Sequence, residues 1–208
     1  IANALLDLVG RSARDVSIAF IPTAANVETG DKGWLINDLS NLKKQGFKSV
    51  DIVDISALPR ELWEPRIEEA DILFFSGGDT LHLMHWLKKS GLAEILPELL
   101  TKRVYAGISA GSMVTGNITQ RRFKELYPDE DPSRYPDVDR GLGFFDFHFR
   151  PHLHSPHFPK VRREILEELA KELKEPIYAL DDQCALKIVD GKIEVVGEGE
   201  CLILNKDR

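Results

Sequence analysis

Cysteine is nearly absent: Cys184 and Cys201 are the only two among 208 residues. So sparse a set excludes a disulfide-stapled scaffold and fits two small buried thiols in a reduced compartment. Long apolar runs are missing as well, and no stretch reaches the ~18–20 residues that span a bilayer. The opening residues, Ile1-Ala2-Asn3, lack the basic start of a signal peptide. A cytoplasmic location is therefore expected. Basic residues do not dominate either: 27 Lys and Arg stand against 34 Asp and Glu, a formal charge of −7. That balance argues against a nucleic-acid binder, which would normally show a basic face. Small molecules are left as the expected partners, although a cleft can carry local charge opposed to the net value.

What is present suits one soluble α/β domain over residues 1–208. Hydrophobic residues make up 43% and charged residues 29% of the chain, an ordinary globular balance. A chain of this length buries enough surface to need no metal or disulfide for folding. Residues 1–10, 31–46, 80–89, 92–100 and 160–174 carry apolar positions at helical spacing, and 59–70 reads as short helical turns. Buried strands are predicted at 15–22, 50–55, 71–75 and 103–106. A further strand is expected at 141–149, with short strands at 177–180, 185–189, 193–196 and 201–204. Asp190-Gly191 marks a hairpin turn, and the turn-rich stretch 120–140 reads as a surface loop. Strand–helix alternation of this kind predicts a three-layer, doubly wound, mostly parallel sheet with helices on both faces, plus a small C-terminal antiparallel group. Such domains open on a strand whereas this chain opens on a helix, so a first strand is expected before Ile1.

Four motifs carry chemistry. In Val104-Tyr105-Ala106-Gly107-Ile108-Ser109-Ala110-Gly111-Ser112 a short strand enters Gly-x-Ser-x-Gly and a helix-compatible stretch leaves it. That context makes a nucleophile elbow, with the glycines allowing a tight turn around an exposed Ser109 hydroxyl. A glycine-rich turn with an incidental serine is the plainer alternative. Ser76-Gly77-Gly78-Asp79-Thr80 likewise follows a strand and precedes a helix. Its amides would lie at the same carboxyl edge, while Asp79 or Thr80 would serve as the helix N-cap. His148, His152, His154 and His157 crowd into one segment, and any of them suits a general base. Their spacing matches no zinc pattern, so neither a metal nor a cofactor is expected. His82 and His85, on one helix, read as packing or solvent-facing. Asp181-Asp182 ends a strand, where an acid would orient the histidine or simply form a turn.

Together these motifs resemble the peptidase E (aspartyl dipeptidase) family of serine peptidases, which includes the cyanophycinases. FSGGDT looks like that family's Gly-Gly-x-Thr turn and GISAGS like its Ser-Ala-Gly elbow. GLGFFDFHFRPHL looks like its Gly-Leu-Gly…His segment, which aligns the family's histidine with His152. The resemblance implies a class I glutamine amidotransferase-like fold, a Ser–His–acid chain order and a triad of Ser109, His152 and Asp182, with Asp181 as the alternative acid. Typical α/β-hydrolases run Ser, acid, His. The resemblance further implies an oxyanion hole from the amides of Gly78 and Ala110. Arg162 or Arg163 falls where the family carries a substrate-binding arginine, and Asp79 is a second substrate-binding candidate. The family's acid is usually Glu, and its Gly-Glu-Thr-Arg is Pro159-Lys160-Val161-Arg162 here.

The function expected is hydrolysis of small peptides, in particular dipeptides with an N-terminal Asp, through an acyl-enzyme on a monomer or homodimer. Two other readings stay open: cyanophycinase-like cleavage of β-linked Asp-Arg dipeptides, and a non-catalytic small-molecule-binding member of the same fold. A glutamine amidotransferase would need Cys at position 109, where this chain has Ser.

Overall fold

Three short apolar segments and one alternating one, each followed by a helix, set the architecture of the first half. A computed structural model describes residues 1–118 and 123–206 of the chain. It divides into two compact units, Ala2–Gly111 and a second one running from Ser112 onward, which also takes Ile1.

In the first unit α1 (Ala2–Val9) precedes β1 (Ser17–Ile21), α2 (Thr23–Asn26) and α3 (Gly33–Lys44). Then come β2 (Ser49–Ile52), α4 (Arg60–Glu69), β3 (Ile72–Phe75), α5 (Thr80–Ser90), α6 (Leu92–Leu99) and β4 (Val104–Gly107). The strands form one parallel sheet in the order β2-β1-β3-β4. Continuous apolar strands are what a sheet covered on both faces requires. Ile18, Phe20, Ile72 and Phe74 bury one face under Leu5 and Val9 of α1 and Leu35, Leu39 and Leu42 of α3. Ala19, Ile21, Leu73 and Phe75, on the other face, are fully buried too. Removing a side chain of this size from water contributes roughly 1.5–3 kcal/mol.

Strand register aligns one edge of this sheet. Ile21 pairs with Phe75, and Phe75 pairs with Gly107. The carboxyl ends of β1, β3 and β4 are therefore level, and the loops leaving them share one edge. Arg60–Glu69 form one helix with Pro65 inside it, longer than the short helical turns expected there. Gly91, at φ +82°, ends α5 in the left-handed conformation and lets α6 start at once.

The second unit holds α8 (Phe123–Leu126), β5 (His148–Arg150), α9 (Arg163–Glu172), β6 (Ile177–Leu180), β7 (Cys184–Val189), β8 (Lys192–Gly197) and β9 (Cys201–Leu204). A one-turn helix α7 (Ala110–Met113) runs into it. Strand β6 pairs in parallel with β5 and antiparallel with β9. β7 and β8 form a hairpin whose turn residues Asp190 and Gly191 both have positive φ, as a type I′ turn demands. Cys184 is buried and Cys201 half-buried, and both are free thiols. Burial pushes the Cys184 thiol up to about 12, helped by the neighbouring Asp181 carboxylate.

Two expectations change. The strand expected over 141–149 shortens to His148–Arg150. Leu142 and Phe144 donate instead to the carbonyls of Val114 and Thr115, which draws this stretch into a loop pairing. Within 120–140, Phe123–Leu126 closes one helical turn, and Pro132–Arg134 forms a 3₁₀ turn capped by Asp131. Residues 120–122 of that stretch lie outside the described ones. No described helix is long and apolar enough to cross a membrane.

Candidate active site

The first unit supplies the candidate nucleophile. Ser109 comes just after β4 and has φ +48°, a left-handed conformation that is costly for a residue with a side chain. Neighbouring hydrogen bonds hold it there. Ile108 N–H donates to the Phe75 carbonyl at 3.0 Å, and Gly111 N–H to the Ile108 carbonyl at 2.8 Å. Gly111 also donates to the Ser76 carbonyl at 3.2 Å. A Cβ on Gly111 would strike the Phe75 carbonyl, so only glycine lets the elbow pass this close to β3. Tyr105 locks the exit: its ring stacks on Phe75 and its hydroxyl donates to the Gly111 carbonyl at 2.6 Å. The elbow leads into only one helical turn, so little helix dipole is available to it.

Beside the elbow lies the Gly77-Gly78 turn at the end of β3. Gly78 has φ +128°, and a Cβ there would overlap the Ala24 carbonyl. Helix α2, which presents Ala24, is fixed by Asp54, whose carboxylate accepts from Thr23 Oγ1 at 2.8 Å and Asn26 Nδ2 at 2.5 Å. Burial pushes the Asp54 pKa up, but these bonds and those from Ser56 outweigh it and hold the carboxyl below its ordinary range. Among the described residues the N–H groups of Gly78 and Ala110 have no hydrogen-bond partner. Both are available donors at the edge that carries Ser109. Asp79 is buried, and its side chain accepts from His82 N at 2.7 Å, so it caps α5.

The second unit supplies the candidate base. Strands β5 and β6 are parallel neighbours, and His152 and Asp182 lie just past their carboxyl ends. His152 Nδ1 donates to Asp182 Oδ1 at 2.7 Å. An ionised carboxylate only accepts, so the proton sits on Nδ1 and Nε2 keeps its lone pair. Burial lowers the His152 pKa, and the Asp182 hydrogen bond opposes this without cancelling it. The imidazole is neutral at pH 7, the state a general base needs. Its ring lies on that of Phe158, with centroids 4.0 Å apart and planes 5° apart. Leu153 N–H ties the segment to β6 through the Leu180 carbonyl at 2.9 Å.

The other histidines and acids have different surroundings. His148 is buried, with Nδ1 2.8 Å from the Asn117 carbonyl and Nε2 3.7 Å from Glu175. His154 Nε2 lies 3.6 Å from Glu200. Asp181 accepts from the backbone N–H groups of Gln183 at 2.9 Å and Glu200 at 2.7 Å, so it ties the turn after β6 to the start of β9. Arg162 turns inward: its guanidinium donates to the carbonyls of Phe158, Val161 and Ser155 at 2.9–3.0 Å. Arg163 pairs with Glu200 at 3.0 Å. The stacking role of Phe158 was not legible in the sequence; its only trace is an aromatic inside a histidine-rich segment.

Similarity to known proteins runs along the same lines. The model of Peptidase family S51 matches residues 1–196. An uncharacterized peptidase of Pasteurella multocida (strain Pm70) is 25% identical over 193 residues, covering 92% of this chain and 89% of the relative. Peptidase E of Haemophilus influenzae (strain ATCC 51907 / DSM 11121 / KW20 / Rd) is 28% identical over 199 residues, covering 92% and 85%. A solved Listeria monocytogenes EGD-e structure with a provisional peptidase E name superimposes with a TM-score of 0.75. It is 23% identical, with 94% of each chain covered, and shows a shared fold.

Proposed function

Because the chain belongs to peptidase family S51, we propose that it is a serine-type dipeptidase working through an acyl-enzyme. Ser109 Oγ attacks the peptide carbonyl carbon while its proton passes to His152 Nε2. The amides of Gly78 and Ala110 hold the oxyanion, and Asp182 stabilises the imidazolium. The C–N bond breaks as His152 returns the proton to the leaving amine. Water, deprotonated by His152, then releases the acyl group and restores Ser109. We read residues 1–208 as one class I glutamine amidotransferase-like domain, without metal or cofactor and working in the cytoplasm.

The observation that carries this reading is the His152–Asp182 hydrogen bond. It supports His152 among the four histidines and Asp182 over Asp181, the pair that the family resemblance also implies, with Asp181 as its alternative acid. Replacing Ser109 by Ala is expected to lower peptide turnover by at least ~10³-fold, the scale of losing a triad nucleophile. A variant keeping more than a tenth of wild-type turnover overturns the assignment.

In this reading an N-terminal Asp side chain is met by a group other than Arg162, whose guanidinium already serves three backbone carbonyls. That commitment favours keeping cyanophycinase-like β-Asp-Arg cleavage as a second reading. Hydrolysis rates on Asp-X, β-Asp-Arg and neutral dipeptides separate the two. A fluorophosphonate probe that fails to label Ser109 would point instead to a non-catalytic binding member of the fold.

A further inference from the structure

Helix α3 carries two large apolar side chains that its core does not use, Ile36 and Trp34. Leu35, Leu39 and Leu42 pack onto the sheet, but Trp34, in the first turn, keeps 36% of its surface exposed. Its position is not casual. The point where a Cβ on Gly77 would stand is 3.3 Å from Ser109 Cβ and 3.7 Å from Trp34 Cζ3. The ring and the candidate nucleophile therefore both lie within van der Waals reach of the same point on Gly77. Lys32 lies over the ring, its ammonium 5.9 Å from the ring centroid. That ammonium is itself fixed, donating to the carbonyls of Ala25 at 2.7 Å and Glu28 at 2.8 Å. Ala25 adjoins Ala24, the residue packed against Gly78. A partly exposed aromatic ring, flanked by a cation and a glycine turn, borders the place where a scissile carbonyl must sit.

We propose that Trp34 is a specificity-determining residue that packs against an apolar side chain of the substrate. The inference rests on the dipeptidase reading. Of the two side chains flanking the scissile bond, the N-terminal one is acidic in that reading and has no use for an aromatic wall. The apolar contact therefore falls to the leaving, C-terminal residue. A pre-ordered ring loses little entropy on contact, so burying apolar surface against it adds to transition-state binding. A side chain the size of Leu or Phe gains on the order of 10-fold in kcat/KM over glycine, within the range that hydrophobic pockets discriminate.

The test compares kcat/KM for Asp-Gly, Asp-Leu and Asp-Phe in the wild type and in the Trp34→Ala and Trp34→Phe variants. Fluorophosphonate labelling of Ser109 runs alongside. Wild type should prefer Leu and Phe over Gly by about 10-fold. Trp34→Ala should bring that ratio close to one, and Trp34→Phe should keep most of it. A ring that merely covers the glycine turn would change all three substrates alike and leave the ratio intact. An intact ratio in a Trp34→Ala protein that still labels and cleaves overturns this inference and spares the parent reading. If Trp34→Ala does not fold, the Trp34→Phe ratio decides, and a loss there as complete as with no ring overturns the proposal. Absence of both labelling and cleavage in the wild type overturns both.

Discussion

His152 and Phe158 lie ring on ring, their planes nearly parallel and their centroids 4.0 Å apart. The stack shields one face of the imidazole from water, and burial is the leading cause of the lowered His152 pKa. Phe158 is in turn held by an edge contact from Tyr127, 6.2 Å between centroids.

Removing the stack should move the titration. A depressed histidine pKa favours the neutral form, so the folded protein binds fewer protons than the unfolded chain between the two pKa values. His152 therefore contributes stability that is complete above the unfolded value near 6.5 and is lost as pH falls through the lower folded value. Activity should show an acid limb below the ordinary histidine midpoint. Phe158→Ala should shift that limb upward and Phe158→Tyr should hold it in place. The pH profile of kcat/KM and an NMR titration of the His152 ring check this; an unmoved limb in Phe158→Ala removes the desolvating role of the stack.

Asp181 and Asp182 should fail differently. Asp182→Asn replaces the acceptor of the Nδ1 proton and should cost on the order of 10²–10⁴-fold in kcat with little loss of stability. Asp181→Asn weakens two backbone anchors and should cost about 1 kcal/mol in urea unfolding. It should leave kcat much less affected. Equal kinetic losses from the two changes would contradict the separation.

Gly78 and Gly111 should tolerate no side chain. Alanine at either meets a backbone carbonyl, of Ala24 or of Phe75. Each change should destabilise by roughly 1–3 kcal/mol. Gly78→Ala also displaces a candidate oxyanion donor, and should lower kcat by ~10²-fold or more. Denaturant midpoints and single-turnover rates measure the two effects separately.

Arg162→Gln should act without regard to substrate. Its guanidinium spans the carbonyls of Ser155, Phe158 and Val161, so its loss loosens the loop beyond His152. Rates on Asp-X and neutral dipeptides should drop by similar factors. A drop confined to Asp-X would mean that the arginine meets substrate after all.

The tight turns at Ser109 and Gly78 were legible in the sequence because their signals are local. An apolar strand runs into glycines at fixed offsets, and the backbone there needs what only glycine allows. His152 could not be told from its three neighbours by spacing. Its distinction is the parallel pairing of β5 with β6, which brings Asp182 within 2.7 Å from 30 residues away. The shortened β5 was hidden for a related reason: an apolar run announces burial but not its hydrogen-bond partner, and Leu142 and Phe144 pair with residues 114–115. Arg162 reads as a charge on a helix and proves to be an internal brace, since sequence shows that a guanidinium is present but not where it bends.

The two free thiols lend the molecule an unplanned analytical advantage. Thiolates are the usual competitors for electrophilic reagents, yet Cys184 is held near 12 and Cys201 is raised by burial as well. At neutral pH both carry less thiolate than an ordinary cysteine. An electrophile offered to the protein thus meets less competition from thiols, and a single covalent adduct mapped to Ser109 in its mass spectrum would test the proposed nucleophile directly.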